Sequence, residues 1–507
     1  MEQTQALAIE QTRLLRFGAA SLALLAALVL LTVHQSAWKR DGVDRAWVPD
    51  AAHLDLAVAG QVAAGHGYRL DDPDGMPVQA RALWRGLVGA LARLNGDPAA
   101  TAQGLSALCA ATLLVVLFRA VRSSTGSTPA AAGAALAVAV SAPFLLLASS
   151  PEPHALAALL VALAADLHLR SLDDDGRPLA LMMALPIGLA LLVRVEFAGL
   201  WLILVLHALL DAVVERRGGE RLALCGWNAV AGVLLLAVCL WPLVNLNVRL
   251  FGNPWPAAAA PLGASALDGW RLLVTDGPRS GPVEFLVVLA GLAALIAPAG
   301  ARAGFRLALL PLLAVLAPLL AALPSFSLGA GGPDLVVNAL RPLLLAFAVA
   351  GPLLLAGRLA GKAAAPARGA LALVLVGALG ARGFAASGAE SAARRAAEDR
   401  REEVARQLGV ADAPAAQPVG TDQPGWLRWK KRQPVVDLSA QTSINLLRAL
   451  SAAGKLDPLK TRTEVALLQP SGLAIWDPAR EPLLDRLDAL PWQTRWQSDD
   501  GWPRVRK

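Results

Sequence analysis

Charge is scarce in this sequence. Asp, Glu, Lys and Arg supply only 17% of the 507 residues against 56% hydrophobic, and the mean hydropathy is positive at +0.51. That balance excludes a water-soluble globular protein and points to a polytopic membrane protein. Cysteine is nearly missing as well. Cys109, Cys225 and Cys239 are odd in number, fall inside apolar runs and lack metal-ligand spacing, so they read as small buried hydrophobes rather than a disulfide framework. No repeat recurs at a fixed period of about 20 to 50 residues. A small-residue cleavage site is wanting after the first apolar run, Phe17 to Val33, which therefore reads as an uncleaved helix. The formal charge of +7 implies no nucleic acid partner, because the arginines are spread through short loops between apolar runs.

What the sequence has in abundance is helix-length apolar runs. A bilayer core about 30 Å thick needs roughly 20 helical residues, and about eleven spans fit that length. They lie near residues 17–35, 101–120, 128–148, 153–169, 179–196, 197–214, 222–248, 282–300, 306–324, 338–357 and 369–388. An amino terminus on the cytoplasmic side gives each short inner loop at least two basic residues, as in Arg119 with Arg122 and Arg302 with Arg306. The expected architecture is then an α-helical multi-pass membrane module over residues 1–388, with a long outer loop at 36–100. A small extracytoplasmic α/β domain is expected at 389–507. Within the outer loop, residues 51–64 and 78–94 are expected to be helices lying along the surface. In the tail, the charged run Glu390 to Gln407 reads as a helix, residues 418–441 as strand, turn and strand, and Glu464 to Gln469 as a further strand. Helices are expected near 444–453 and 482–490.

Polar residues at membrane depth are costly and are functional candidates by default. Asp50 and His53 open the outer-loop stretch Val48 to Tyr68, which also holds Asp55 and His66. Glu152 and His154 sit at the outer turn before the fourth span, Arg194 and Glu196 end the fifth, and Asp334 and Arg341 begin the tenth. These residues come from distant positions yet reach one level of the membrane. Interfacial side chains solvated by headgroups are the competing interpretation for each taken singly. Two residues apart on a helix do not face each other, so Arg194 is expected to pair away from Glu196, with Glu152 as the candidate. His66 lies between glycines and reads as part of a turn. Asp173 to Asp175 reads as a solvated inner turn. Asp166 and His168, near the inner end of the fourth span, are the one hint of a path across the membrane.

Several segments resemble the polyprenyl-phosphate-dependent membrane glycosyltransferases of GT-C type, particularly the terminal arabinofuranosyltransferase-like family. The similar stretches are Asp50-Ala51-Ala52-His53 with the following AVAGQVAAGHGY, Ser150-Pro151-Glu152-Pro153, Arg194-Val195-Glu196, and Phe251-Gly252-Asn253-Pro254. Gly331-Gly332-Pro333-Asp334, Arg341-Pro342-Leu343-Leu344 and Val435-Val436-Asp437-Leu438 continue the series. They occur in the family's order from about residue 48 to 440. Departures are Ala51 in place of a second aspartate, Val195 in place of proline, and Ala257 in place of asparagine.

The resemblance implies an inverting enzyme of a bacterial inner membrane. Its donor is a sugar on a polyprenyl phosphate, with arabinofuranose the first candidate, and its acceptor is a cell-envelope glycan or lipid on the outer face. Such a donor already carries a leaving group, so transfer needs one carboxylate as base and cations for the departing phosphate. Asp50 is the expected base, with a plain N-cap as its competing role. Glu152, Arg194, Glu196, Asp334, Arg341 and His53 are the expected substrate-binding residues, the arginines because guanidinium meets phosphate bidentately. No cofactor is required, although the fold class leaves room for a divalent metal. Membrane lipid is the other expected partner. Tail tryptophans such as Trp426 and Trp429 are candidates either for sugar stacking or for interface anchors. Two rival functions remain: a transporter or flippase of a lipid-linked saccharide, and a degenerate relative that binds without transfer.

Overall fold

The computed structural model describes residues 50–68, 81–172, 182–214, 219–251, 334–360 and 363–410, together with short pieces of the tail between 419 and 506. The expected spans at 17–35, 282–300 and 306–324, and the tail elements expected at 444–453, 464–469 and 482–490, lie outside the described residues. Two helices precede the bundle, α1 (Asp50–Ala63) and α2 (Ala82–Asn95). The bundle runs through α3 (Pro98–Thr125), α4 (Thr128–Val140), α5 (Ala142–Ser149), α6 (His154–Ser171), α7 (Ala184–Leu191) and α8 (Ala198–Val214). It continues with α9 (Gly219–Phe251), α10 (Asp334–Leu359) and α11 (Ala364–Leu408).

Among the described residues, five helical stretches are long and apolar enough to cross a membrane: Pro98–Thr125, His154–Ser171, Cys225–Asn245, Asn338–Gly357 and Pro366–Ala385. The pair α4 and α5 adds a sixth if counted as one span bent by 63°. These make the chain a multi-pass membrane protein. Local chemistry sets the boundaries. Asp97 caps α3 by accepting from Ala99 N at 2.9 Å and Ala100 N at 3.0 Å, Pro98 takes the first helical position, and Gly126 at φ 67° ends the helix. The bend falls at Ser141, whose backbone is extended (φ −72°, ψ 145°) and whose Oγ donates to Val138 O at 2.7 Å; Pro143 then opens α5. Gly383 of α11 presses against the backbone of Val140 and Ala142 at this bend, where a side chain would collide.

The core is a continuous apolar cluster drawn mainly from α3, α4, α6, α7 and α10, much of it alanine and leucine. Small residues let the helices approach closely. A Cβ on Gly133 of α4 would stand 2.9 Å from Leu353 of α10 and 3.2 Å from Ala372 of α11. The helices α1 and α2, expected along the surface, each bury one face against the protein. Ala52 to Leu56 are buried, as are Trp84, Arg85, Val88, Gly89 and Ala92, so both helices are packed into one end of the bundle. Their amphipathic pattern suits a protein surface as well as a lipid one, which is why the sequence does not distinguish the two.

The last span and the charged run after it form one helix. At 1.5 Å per residue the 45 residues of α11 extend about 67 Å, over twice the bilayer core, so roughly half of the helix projects beyond the membrane. Tail strands β1 (Val419–Thr421), β2 (Val435–Asp437), β3 (Leu473–Ile475), β4 (Thr494–Gln497) and β5 (Arg504–Arg506) form one mixed sheet in the order β2-β1-β3-β5-β4. Strands β1 and β2 pair in parallel, Val419 against Val435, so the segment between them is a crossover rather than a tight turn.

Candidate functional site

Four chain segments converge where α1 and α2 meet the bundle. Asp55 of α1 is 1% exposed and is gripped by two arginines: Arg81 Nη1 donates to Oδ2 at 2.6 Å and Arg85 Nε donates to Oδ1 at 2.7 Å. Arg81 precedes the first turn of α2 with φ 60°, the one non-glycine residue in the left-handed region among the described residues. Backbone strain of that kind persists where surrounding contacts over-determine it, as this ion pair does. The same Arg81 Nη1 lies 4.0 Å from Glu152 Oε1 in the turn between α5 and α6.

Glu152 is held on every side. Ser150 Oγ donates to Oε2 at 3.0 Å, His154 Nδ1 stands 3.5 Å from the same oxygen, and Ser106 Oγ of α3 donates to the Glu152 carbonyl at 3.3 Å. Trp84 Nε1 of α2 donates to Pro151 O at 3.2 Å, fixing the turn from the other side. Burial opposes the charge of Arg81, yet Asp55 and Glu152 together keep its guanidinium above the usual arginine value. For Arg85 burial prevails and lowers it despite Asp55. Two buried cations face two buried carboxylates, so the cluster is compensated as a unit.

The segment after α7 joins this end through Leu83 N, which donates to Leu192 O at 3.3 Å. Two residues on, Arg194 pairs with Glu196, its Nε lying 3.2 Å from Oε1 and 3.1 Å from Oε2, with Nη2 also on Oε1. This corrects the expectation that Arg194 pairs away from Glu196. The i, i+2 rule holds within an α-helix, and here α7 has ended at Leu191 while Val195–Phe197 is a 3-10 turn. Arg341 of α10 is buried, and its Nη1 donates to Asn338 Oδ1 at 2.9 Å. Pro342 cannot return the usual helical bond to the Asn338 carbonyl, so the backbone is also polar at this level. Helix α10 packs on α6, whose first residues carry His154.

Asp50 and Asp334 are the first residues of α1 and α10; their side chains lie outside what is described. His53 is fully buried, two residues before Asp55 and hence on another face of α1. His66 shapes a turn, as expected: Gly65 and Gly67 take φ 87° and 79°, and His66 Nδ1 is 2.7 Å from Gln61 Oε1. Sequence reasoning missed the arginine grip on Asp55. Its one signal was two arginines four residues apart, at 81 and 85, beside a loop carboxylate.

A second polar cluster occupies the other end of α6. Arg119 of α3 donates to Asp166 Oδ2 at 3.0 Å, Arg170 approaches the same oxygen at 3.8 Å, and His168 Nε2 shares a hydrogen bond with His207 Nδ1 of α8 at 2.9 Å. Twelve residues of α6 separate His154 from Asp166, which places the cluster about 18 Å from the Glu152 turn. Among the described residues no group of three or more His, Cys, Asp or Glu is placed to hold a metal ion.

No family model matches the sequence, and no curated protein sequence matches it. Solved structures do. The crystal structure of ArnT from Cupriavidus metallidurans in the apo state aligns with a TM-score of 0.61 at 15% identity, covering 97% of this chain and 98% of that one. The same protein bound to undecaprenyl phosphate aligns at 0.57 and 16%, covering 96% and 98%. The archaeal oligosaccharyltransferase AglB from Archaeoglobus fulgidus, in complex with an inhibitory peptide and a dolichol-phosphate, aligns at 0.54 and 11%, covering 90% of this chain and 69% of that one. At such identities the likeness is one of fold: this chain shares the fold of ArnT and of the AglB oligosaccharyltransferase.

Proposed function

We propose that this protein is an integral-membrane glycosyltransferase that takes a sugar from a polyprenyl phosphate and transfers it, with inversion, to a cell-envelope glycan or lipid on the outer face of a bacterial inner membrane. The observation that carries this reading is the near end-to-end match to a structure that holds undecaprenyl phosphate. The clustering of Asp55, Arg81, Arg85, Glu152 and His154 at the bundle end entered by α1 and α2 supports it. Arabinofuranose, which the sequence resemblance suggests, is the first sugar to test.

In this mechanism Asp50 removes the proton from an acceptor hydroxyl as that oxygen bonds to the anomeric carbon. The bond from that carbon to the phosphate oxygen breaks, and the electron pair leaves with the polyprenyl phosphate. Arg341 meets the charge that accumulates there; Arg194, already tied to Glu196, is the second proposed cation for the phosphate. Glu152 is held rigid by Ser150 and Ser106, which suits a group that orients sugar hydroxyls. His53 and Asp334 complete the proposed substrate-binding set. No step here is routed through a metal.

Purified protein in nanodiscs supplied with a lipid-linked sugar and an acceptor glycan tests the reading. Transfer in the wild type and its loss in Asp50→Asn, with donor binding retained, are the expected results. Saturable donor binding without transfer in the wild type would indicate the binding-only relative instead.

A further inference from the structure

Trp426 and Trp429 of the tail are absorbed neither by the proposed chemistry nor by the sheet. Trp426 is 3% exposed and its Nε1 donates to Glu398 Oε1 of α11 at 3.1 Å, a burial that removes it from sugar stacking. Lys431 Nζ reaches Glu402 Oε2 at 2.7 Å and lies 5.6 Å from the centroid of the Trp426 ring. Leu427 is equally buried. These residues fasten the segment 426–431 to the part of α11 that projects from the membrane.

Between those anchors, Trp429 turns the other way. A Cβ on Gly60 of α1 would lie 3.7 Å from Trp429 Cζ3 and 4.0 Å from Pro98 Cγ, so the indole sits where α1 meets the start of α3. Trp429 also packs against the apolar cluster of the bundle, to which Leu56 of α1 belongs. Gly60 shares a helix face with Leu56 and His53, by the i, i−4 and i−7 relation. The neighbouring face, with Ala59 and Val62, is pressed against Gly89 of α2. Helix α1 is therefore held on one side by α2 and on another by a tryptophan whose segment is clasped to α11.

We propose that Trp429 is a positioning residue: through Gly60 it fixes α1, and with it Asp50 and Asp55, so that the tail sets the geometry of a site to which it contributes no reacting group. A small residue at position 60 leaves room for the flat indole against the helix, and a partner clasped to α11 gives that contact a rigid base. The consequence for transfer rests on the function proposed above; the consequence for α1 does not.

Amide hydrogen exchange of residues 51–63, in full-length protein in lipid nanodiscs, tests the holding of α1 directly. Trp429→Ala is expected to speed exchange there by about tenfold or more, while Trp429→Phe stays within about threefold of wild type. Gly60→Leu, which leaves Trp429 intact but forces the ring away, is expected to reproduce the Trp429→Ala pattern, and it covers the case in which Trp429→Ala fails to fold. Wild-type exchange in both Trp429→Ala and Gly60→Leu would overturn the proposal. In the transfer assay, Trp429→Ala is expected to lower kcat with donor KM little changed, and Trp429→Phe to restore it. Equal kcat in wild type and Trp429→Ala, in an active enzyme, would overturn the positioning role. Absence of transfer in the wild type would count against the proposed function alone, and the exchange result would still decide the holding of α1.

Discussion

Arg81 donates to Asp55 at 2.6 Å across 26 residues of sequence, and it does so from a left-handed backbone at φ 60°. A non-glycine residue in that conformation needs compensation from its surroundings, and a buried charge needs it more. Each supplies the other's requirement: the ion pair holds the turn, and the turn aims the guanidinium past Asp55 toward Glu152, 4.0 Å away.

Asp55→Asn removes the carboxylate charge that Arg81 meets at 2.6 Å and Arg85 at 2.7 Å, weakening the compensation of two buried cations. A loss of about 3–5 kcal/mol in the stability of this end of the bundle is expected. The measurement is the apparent Tm in detergent together with hydrogen exchange across α1 and α2. Asp55→Asn with wild-type stability would show that the pair is not what holds these helices together.

Gly60 and Gly89 separate conformational cost from steric need. A Cβ on Gly60 makes ordinary contacts at 3.7 and 4.0 Å, so Gly60→Ala is expected to gain about 0.5–1 kcal/mol from reduced helix entropy loss. A Cβ on Gly89 would stand 2.6 Å from Val62 Cβ and 2.8 Å from Ala59 O, which forces α1 and α2 apart. Gly89→Ala is expected to cost about 1–3 kcal/mol. Thermal unfolding of the two variants side by side checks both signs.

Arg341 and Asp50 are expected to divide between donor binding and chemistry. Arg341→Gln removes the cation proposed to meet the donor phosphate, with an expected rise in donor Kd of about tenfold to a hundredfold. Asp50→Asn leaves donor Kd within about twofold while kcat falls by at least about a hundredfold, the scale of lost general-base catalysis. Donor titration and single-turnover transfer distinguish the two, and a parallel fall in both quantities for Asp50→Asn would argue that Asp50 binds rather than reacts.

Much of the bundle is legible in the sequence because spanning a bilayer imposes a length. The apolar runs of α3, α6 and α10 announce themselves, and Gly65-His66-Gly67 announces its turn. Two boundaries are not legible. The change from apolar to charged residues near 389 looks like the end of a span, yet α11 runs through it, since helix propensity does not distinguish lipid from water. Arg194 and Glu196 obey a helix rule only if the segment is helical, and the chain breaks there. Asp55 was visible as a polar residue, but its two arginines act through tertiary packing that no local pattern encodes.

His168 and His207 offer a test that separates stability from catalysis. Their hydrogen bond joins α6 to α8 within the core, and each histidine is buried. Replacing one with leucine leaves the other imidazole buried without that bond, at a cost of about 1–3 kcal/mol, whereas the double change removes both polar groups. His168→Leu with His207→Leu is therefore expected to be less destabilised than the sum of the single variants by about 1 kcal/mol, measured as a double-mutant cycle. Because the pair lies at the far end of α6 from the Glu152 turn, transfer by the folded double variant is expected to match wild type. A loss of turnover there, without loss of fold, would give the far cluster a part in the reaction and revive the reading of a polar route through the membrane.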